Sequence, residues 1–155
     1  MPFRFTWVIP EQLAGMALPG STASLDDDFA SLRKRGITNI VTLTEKPLAC
    51  HDSVGFRLYH FPVRDMGIPE HRQTEAYCRI VDAAIADGQS TAVHCHAGIG
   101  RTGTFLAAYL IWSRGLDAAE AIRAVRQCRV DYVQSRGQEL YLRDWAKDIA
   151  GCEAR

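Results

Sequence analysis

The chain has 155 residues, of which 47% are hydrophobic and 23% are charged, and its 18 basic side chains balance 18 acidic ones. These values are typical of a soluble globular protein, and we expect residues 1–155 to form a single domain. The net charge is zero, so nothing indicates an extended basic surface for nucleic acid or anionic lipid, and we expect any anion site to be local.

The five cysteines show no regular spacing. The first residues, MPFRFTWVIPEQLAG, lack the basic start, the apolar run and the cleavage site of a signal peptide. No apolar run approaches the ~18 residues of a membrane helix. We therefore predict reduced thiols, no stable membrane association and a cytoplasmic location.

The first half of the chain contains three segments with the periodicity of regular elements. Apolar residues one turn apart in 25–32 predict a helix, with Ser24 as its N-cap and a glycine at its end. Two strand-like stretches follow, ITNIVTLT (37–44) and FRLYHFP (56–62), because β-branched and aromatic residues are concentrated in both.

The second half of the chain continues with helices around one strand. Pro69 suits the first position of a helix whose apolar stripe runs through 77–85. The short run STAVH (90–94) predicts a buried strand. The next segment, TGTFLAAYLIW (102–112), is apolar on every side, which predicts a central buried helix.

Two pairs of polar residues mark the starts of two further helices. Asp117 with Glu120, and Ser135 with Gln138, have the spacing of a capping box. Strands that alternate with helices predict an α/β fold, in which a mainly parallel central sheet of about four to five strands is flanked by helices. The end of STAVH would lie at the carboxyl edge of this sheet, where such folds bind their ligands.

The stretch VHCHAGIGRTG (93–103) directly follows that strand and allows three interpretations. A metal site is the weakest, because the consecutive His94, Cys95 and His96 would point to alternate faces of a strand and no second ligand cluster is present. A purely structural turn explains the glycines. It gives no reason for the cysteine, for the arginine or for the hydroxyl residue after the arginine.

A reactive anion site accounts for every position of this stretch. The five residues between Cys95 and Arg101 can curl so that their backbone N–H groups point inward, beside the N-terminus of the next helix. Gly98 and Gly100 let the backbone approach an anion closely, and Arg101 can hold two phosphate oxygens at once. In this positive field we expect Cys95 to act as a thiolate aimed at phosphorus.

The same stretch carries a family signature. The residues His94-Cys95-x-x-Gly98-x-x-Arg101-Thr102 match HCxxGxxR(S/T), and the chain therefore resembles the cysteine-dependent protein tyrosine and dual-specificity phosphatases. Four longer stretches are similar to the small atypical dual-specificity phosphatases, most closely the VHZ type: WVIPEQLAGMALPG, IVTLTEK, IVDAAIADG and RTGTFLAAYLIWSRGL. The resemblance covers nearly the whole chain and implies phosphomonoester hydrolysis, a chemistry that requires no metal or other cofactor.

The resemblance also implies the roles of individual residues. Cys95 would attack phosphorus and form a phosphocysteine. Thr102 would stabilise the thiolate as it departs, and His94 would orient the loop by hydrogen bonding. The phosphate would be held by Arg101 together with the loop residues His96, Ala97, Gly98, Ile99 and Gly100.

The leaving oxygen also needs a proton. In the family an aspartate on a loop about thirty residues before the cysteine supplies it as the general acid. Asp65 lies thirty residues before Cys95, directly after a predicted strand. The family's usual Trp-Pro-Asp is here Val63-Arg64-Asp65. We therefore predict that Asp65 is the general acid and, for the second step, the base.

Alternatives remain for the proton donor and for the group that positions the water. Asp131 is a second candidate for the acid. Three further aspartates lie on a predicted helix or before a strand: Asp82, Asp87 and Asp52. Gln134 or Gln138 could position the water of the second step, but either residue also fits a surface or capping role.

The substrate class is predicted less directly. A short chain with small loops suggests a shallow pocket, which would admit phosphoserine and phosphothreonine as well as phosphotyrosine. The apolar Ile99 and the partly charged His96 offer little help to a polyanionic lipid headgroup. We expect a monomer that acts on phosphorylated proteins or peptides and binds no nucleic acid. A phosphoinositide or small-molecule phosphatase and a non-catalytic phosphate-binding module are the alternatives.

Overall fold

The computed structural model describes residues 2–48 and 55–153, and this part of the chain contains five strands and five helices. In chain order they are β1 (Thr6–Ile9), β2 (Leu13–Met16), α1 (Leu25–Lys34), β3 (Ile37–Thr42), β4 (Arg57–His60), α2 (His71–Ala86), β5 (Ser90–His94), α3 (Gly100–Arg114), α4 (Ala118–Cys128) and α5 (Arg136–Glu153).

The five strands form one sheet in the order β1-β2-β5-β3-β4. The strands β2, β5, β3 and β4 are parallel to one another, whereas the edge strand β1 is antiparallel to β2. The predicted α/β fold with a mainly parallel central sheet is therefore confirmed. Because β5 is the central strand, the chain leaves it between the carboxyl ends of β2 and β3, as expected for a ligand site in such folds.

Helices cover both faces of the sheet. Neighbouring side chains of a strand point to opposite faces, so each strand contributes to both helical layers. Val93 of β5 belongs to the larger apolar cluster with α2, α3, α4 and α5, whereas Ala92 packs with Phe29 of α1. Every residue of α3 from Gly100 to Ile111 is buried, which confirms the prediction from its apolar sequence. In the described part of the chain, no helix combines the length and apolar character needed to cross a membrane.

The polar residues predicted to begin helices do so. The side chain of Ser24 caps α1. Asp117 and Glu120 form a reciprocal capping box, with hydrogen bonds of 2.8 and 3.2 Å. The Ser135 hydroxyl accepts from the N–H of Gln138, and the Gln138 side-chain oxygen accepts from the N–H of Ser135, each at 3.1 Å. These caps are formed within four residues of chain, so the local sequence is sufficient to predict them.

The prediction for Pro69 is wrong. Helix α2 begins at His71, and Glu70 precedes it in an extended conformation. The side-chain oxygen of Gln73 accepts the N–H of Glu70 at 2.9 Å, which is half of a capping box. This cap sets the start of the helix after Glu70 and leaves Pro69 in the preceding loop.

The strand boundaries also differ from the sequence patterns. The predicted strand 37–44 ends at Thr42, and the predicted strand 56–62 covers only Arg57–His60. The hairpin of β1 and β2 was not predicted from periodicity, since each strand has only four residues. The sequence of β2, LAGM, has little strand preference of its own. Its extended conformation depends on hydrogen bonds to β1 and β5.

Candidate active site

Cys95 follows the central strand β5 and lies at the bottom of a loop that leads into α3. The residue is only 2% exposed. Its sulfur accepts two hydrogen bonds, from the N–H of Gly98 at 3.3 Å and from the hydroxyl of Thr102 at 3.1 Å. Two donors on one sulfur stabilise negative charge there, as a nucleophilic thiolate requires.

The curve of this loop requires glycine at position 98. Gly98 has φ +75°, and a Cβ atom built on it would lie 2.6 Å from the backbone carbon and oxygen of Met16. Close by, the N–H of Leu18 donates to the carbonyl of His96 at 2.9 Å. The loop is therefore held directly against the end of β2, which leaves no room for a side chain.

His94 lies beneath the loop and is completely buried. Its Nδ1 is 3.0 Å from the carbonyl oxygen of Cys95 and must donate, so Nε2 accepts the hydroxyl of Thr42 at 2.8 Å. Burial lowers the pKa of His94 to about 4, because the charged imidazolium would lose its hydration. The ring is thus neutral at physiological pH and orients the backbone at the cysteine. Among the described residues, no three His, Cys, Asp or Glu side chains are grouped so as to hold a metal ion.

Arg101 lies in the first turn of α3 and connects the loop to the segment that carries Asp65. The side chain is 5% exposed. Its Nη1 donates to the carbonyl oxygen of Val63 at 2.9 Å, and its Nη2 lies 3.5 Å from Oδ1 of Asp65. The Asp65 side chain is 78% exposed, and its backbone N–H donates to Glu45 at 3.3 Å. The tertiary structure therefore brings Asp65 and Arg101 together.

A cavity of about 810 Å³ opens above the cysteine. The residues that border it include both Cys95 and Arg101, and Asp65 lies at its rim. Of the other predicted phosphate-binding residues, three border it: His96, Ala97 and Gly100. Gly98 directs its N–H to the sulfur, and Ile99 is half-buried just before α3. The N-terminus of α3 faces this space and adds the positive end of the helix dipole.

The competing aspartates have other partners. Asp131 is paired with Arg4. Asp82 accepts hydrogen bonds from Tyr109 and Trp112. Asp87 caps the end of α2, and Asp52 lies outside the described residues. Of the aspartates considered as acids, Asp65 alone among those described borders the cavity.

The two glutamines differ in their surroundings. Gln138 is fully buried, and its side-chain oxygen caps the backbone N–H groups of Gln134 and Ser135. Its amide nitrogen donates to the carbonyl of Gly67 at 3.3 Å. Gln134, by contrast, is exposed and borders the cavity above Cys95. Gln138 is therefore a capping residue, and Gln134 is the glutamine that can reach a bound ester.

Several residues at the rim were not found from the sequence. Leu18 and Leu25 border the cavity from the region around the start of α1, and Glu45 and Lys46 border it from the segment after β3. The only sequence signal for Glu45 is its position just beyond a strand. That signal becomes informative once β3 is known to lie beside β5, because their carboxyl ends then meet.

The fold and the loop define a class of protein: an α/β protein that presents a cysteine and an arginine on one loop at the carboxyl edge of its sheet, next to the N-terminus of a helix. The family described as "Polymorphic toxin system, DSP-PTPase phosphatase" matches residues 14–115, more than half of the chain. The chain belongs to this family of dual-specificity and protein tyrosine phosphatases, as the signature at Cys95 predicted.

Curated relatives are also named as protein tyrosine or dual-specificity phosphatases. The chain is 35% identical over 96 residues to "Protein tyrosine phosphatase domain-containing protein 1" of Mus musculus, covering 62% of this chain and 13% of the relative. It is 31% identical over 134 residues to "Dual specificity protein phosphatase CDC14C" of Symphalangus syndactylus, covering 79% of this chain and 27% of the relative. The chain thus spans between about an eighth and a quarter of the length of these relatives.

Solved structures show the same fold. PTPMT1 in complex with PI(5)P has a TM-score of 0.84 and 21% identity, with 97% of this chain and 99% of that chain covered. Human DUSP28 has a TM-score of 0.81 and 22% identity, with 97% of both chains covered. At such low identity these similarities concern the fold, which is that of the cysteine phosphatases.

Proposed function

We propose that this protein hydrolyses phosphate monoesters through a phosphocysteine intermediate. The observation that carries the proposal is the sulfur of Cys95, which lies beneath an open cavity and accepts hydrogen bonds from Gly98 and Thr102. Arg101 and Asp65 border the same cavity. A nucleophile, an anion-binding fork and a proton donor are the groups that phosphoryl transfer requires.

In the first step, the phosphate lies over Cys95 with its equatorial oxygens held by the loop N–H groups and by Arg101. The Cys95 sulfur attacks phosphorus in line with the ester oxygen, so that an S–P bond forms as the P–O bond breaks. Asp65 transfers its proton to the departing oxygen, which leaves as an alcohol or phenol. The products are the phosphocysteine and an ionised Asp65.

In the second step, Asp65 accepts a proton from water as the water oxygen attacks phosphorus. The S–P bond breaks, inorganic phosphate is released, and the electron pair returns to Cys95. The Thr102 hydroxyl, which lies 3.1 Å from the sulfur, stabilises the departing thiolate. Gln134 orients the attacking water, which is consistent with its place at the rim of the cavity.

The preferred substrates are phosphotyrosine and, with them, phosphoserine and phosphothreonine in proteins. Support comes from the cavity wall, which Leu18, Leu25 and Leu48 line with apolar side chains suited to an aromatic ring or peptide. Among the described residues, the basic side chains that border this cavity are one lysine, Lys46, and one arginine, Arg101. Such a wall favours a monoester on an apolar group over a headgroup with several phosphates.

A panel of substrates tests both the chemistry and the class. Phosphate release would be measured in EDTA and reducing agent from phosphotyrosine and phosphothreonine peptides, phosphoinositides and sugar phosphates, with Cys95→Ser as the blank. We expect peptide turnover that disappears in Cys95→Ser. A dominant lipid or sugar signal would keep the mechanism and replace the substrate class. No turnover of any ester would leave a phosphate-binding module.

A cytoplasmic location and a monomeric state remain predictions. The location is supported by the four cysteines described in the structure, all of which are free thiols: Cys78, Cys95, Cys128 and Cys152. Free thiols are typical of a reducing compartment. Fractionation of cells and sedimentation of the purified protein would test the two predictions separately.

A further inference from the structure

Val133 has a backbone conformation that valine rarely adopts. Its φ is +62°, in the left-handed region, and it is 3% exposed. A β-branched residue in this region is strained, and such strain persists only where the surrounding structure imposes it. Val133 directly precedes Gln134, the glutamine at the rim of the cavity. The strained position therefore controls the direction in which Gln134 leaves the backbone.

Arg126 of α4 holds this segment from one side. Its Nε donates to the carbonyl of Tyr132 at 3.0 Å, and its Nη2 donates to the carbonyl of Val133 at 2.8 Å. The same Nη2 lies 3.0 Å from Glu139 of α5. The planar guanidinium can grip two successive carbonyls in a fixed orientation, which a lysine cannot do.

Two further contacts hold the segment from other sides. A Cβ atom on Gly103 would lie only 2.5 Å from the backbone nitrogen of Val133, so α3 packs directly against it. The N–H of Gln134 donates to the side-chain oxygen of Gln138 at 2.9 Å. Together with Arg126, these contacts fix both peptide groups that flank Val133.

The side chain of Gln134 lies over the first turn of α3 as a result. A Cβ atom on Gly100 would lie 3.0 Å from its side-chain oxygen. Arg126 itself does not border the cavity. We propose that Arg126 is a positioning residue, which acts through the Val133 backbone to hold Gln134 where it orients the water that hydrolyses the phosphocysteine. This inference rests on the proposed phosphatase function.

The two half-reactions depend on Arg126 to different extents. During phosphorylation of Cys95 the leaving group occupies the space above phosphorus, so Gln134 has no water to orient. During hydrolysis the water occupies that space and needs a defined direction of attack. Loss of the hydrogen bonds from Arg126 to Tyr132 and Val133 therefore slows hydrolysis of the phosphocysteine and leaves phosphorylation of Cys95 unchanged.

The test separates the two steps with p-nitrophenyl phosphate. Single-turnover release of p-nitrophenol with excess enzyme reports phosphorylation, and rapid quenching under excess substrate reports the phosphoenzyme. For Arg126→Lys we expect an unchanged single-turnover rate, a steady-state kcat about ten- to a hundredfold lower, and accumulation of phosphoenzyme. Equal losses in both steps, or no loss in either, would overturn the proposal.

Matched variants distinguish positioning from a general loss of structure. Arg123→Lys alters an exposed arginine of the same helix and should change neither step. Adding Arg126→Lys to Gln134→Ala should cost nothing further, because the group that Arg126 positions is already gone. Multiplied losses in this double variant would contradict the role through Gln134.

An unstable Arg126→Lys variant and a failure of the proposed phosphatase function can each be distinguished from a failure of the positioning role. If Arg126→Lys is too unstable to assay, Arg126→Gln, which keeps one of the donors, replaces it with the same expectation. If the wild-type protein forms no phosphoenzyme and matches Cys95→Ser on every ester, the proposed function itself has failed. If the wild type turns over normally and Arg126→Lys has the same kinetics, only the positioning role of Arg126 is overturned.

Discussion

The guanidinium of Arg101 donates a hydrogen bond of 2.9 Å to the carbonyl oxygen of Val63, and the same group lies 3.5 Å from the carboxylate of Asp65. Val63 is buried, with only 4% of the residue exposed, whereas the Asp65 side chain is 78% exposed. The hydrogen bond from Arg101 to the Val63 backbone is therefore the stronger contact, and the ion pair between Arg101 and Asp65 is exposed to solvent and weak. Arg101 thus anchors the segment that carries Asp65 through its backbone, while the Asp65 carboxylate stays exposed to solvent.

The proposed role of Asp65 as general acid predicts an effect that depends on the leaving group. Asp65→Asn should lower kcat/KM for phenyl and alkyl phosphates by about 10²- to 10⁴-fold, because these leaving oxygens need a proton. Activated esters such as p-nitrophenyl phosphate should lose much less. Steady-state kinetics across a series of leaving groups would measure this, with Asp87→Asn as a control carboxylate at the end of α2. Equal losses for every ester would contradict the assignment.

The hydrogen bond from Thr102 to Cys95 predicts a loss of turnover. Thr102→Val keeps the shape of the side chain but removes the donor, and should lower kcat by about ten- to a hundredfold, as expected for a hydrogen bond to a charged group. Thr104→Val is a matched control, because the buried Thr104 hydroxyl donates to the Gly100 carbonyl at 2.7 Å and not to the sulfur. Similar losses in both variants would indicate a structural effect.

The close approach of Gly98 to Met16 predicts a loss of stability. Gly98→Ala should lower the free energy of unfolding by about 2–5 kcal/mol, from the left-handed backbone and the clash together. Gly88 provides the control, since its φ is +71° and nothing lies within 4 Å of an added Cβ. Gly88→Ala should cost only about 1 kcal/mol. Urea unfolding would compare the two, and equal costs would refute the packing argument.

The burial of His94 predicts a dependence of stability on pH. Its pKa is about 4 in the folded protein, against 6.5 for the ordinary group. As the pH falls below 6.5, His94 becomes protonated in the unfolded chain but stays neutral in the folded protein. The free energy of unfolding therefore decreases until the pH reaches about 4, where the folded protein also binds the proton. The total loss from this residue is about 3 kcal/mol.

The variant His94→Gln tests the source of this dependence. It should be less stable than the wild type at neutral pH because its hydrogen bonds to Thr42 and Cys95 are altered. Its stability should nevertheless change less between pH 6.5 and 4. Unfolding in urea at several pH values would measure both slopes. Parallel slopes for the two proteins would assign the pH dependence to other groups.

The sequence predicted the parts of the protein that depend on residues close together in the chain. Cys95, Gly98, Arg101 and Thr102 lie within a single loop and helix turn, so their spacing alone indicates an anion site next to a thiol. The capping pair Asp117 and Glu120 is local for the same reason. Asp65 was selected through the family's spacing between acid and cysteine; it borders the cavity, and its role as general acid stays a prediction.

Only the tertiary structure placed Glu45 and Gln134 at the cavity, paired Arg101 with Val63, and brought Arg126 to the backbone of Val133. The contact between Arg101 and Val63 joins segments far apart in the chain, whereas Arg126 and Val133 are close in sequence but lie in a loop whose path is set by its packing against α3. These contacts depend on the order of strands in the sheet and on the packing of α3, α4 and α5 against one face of it. Hydrogen bonds and caps between near neighbours are encoded by a few adjacent side chains, whereas contacts between distant segments depend on the packing of the whole core.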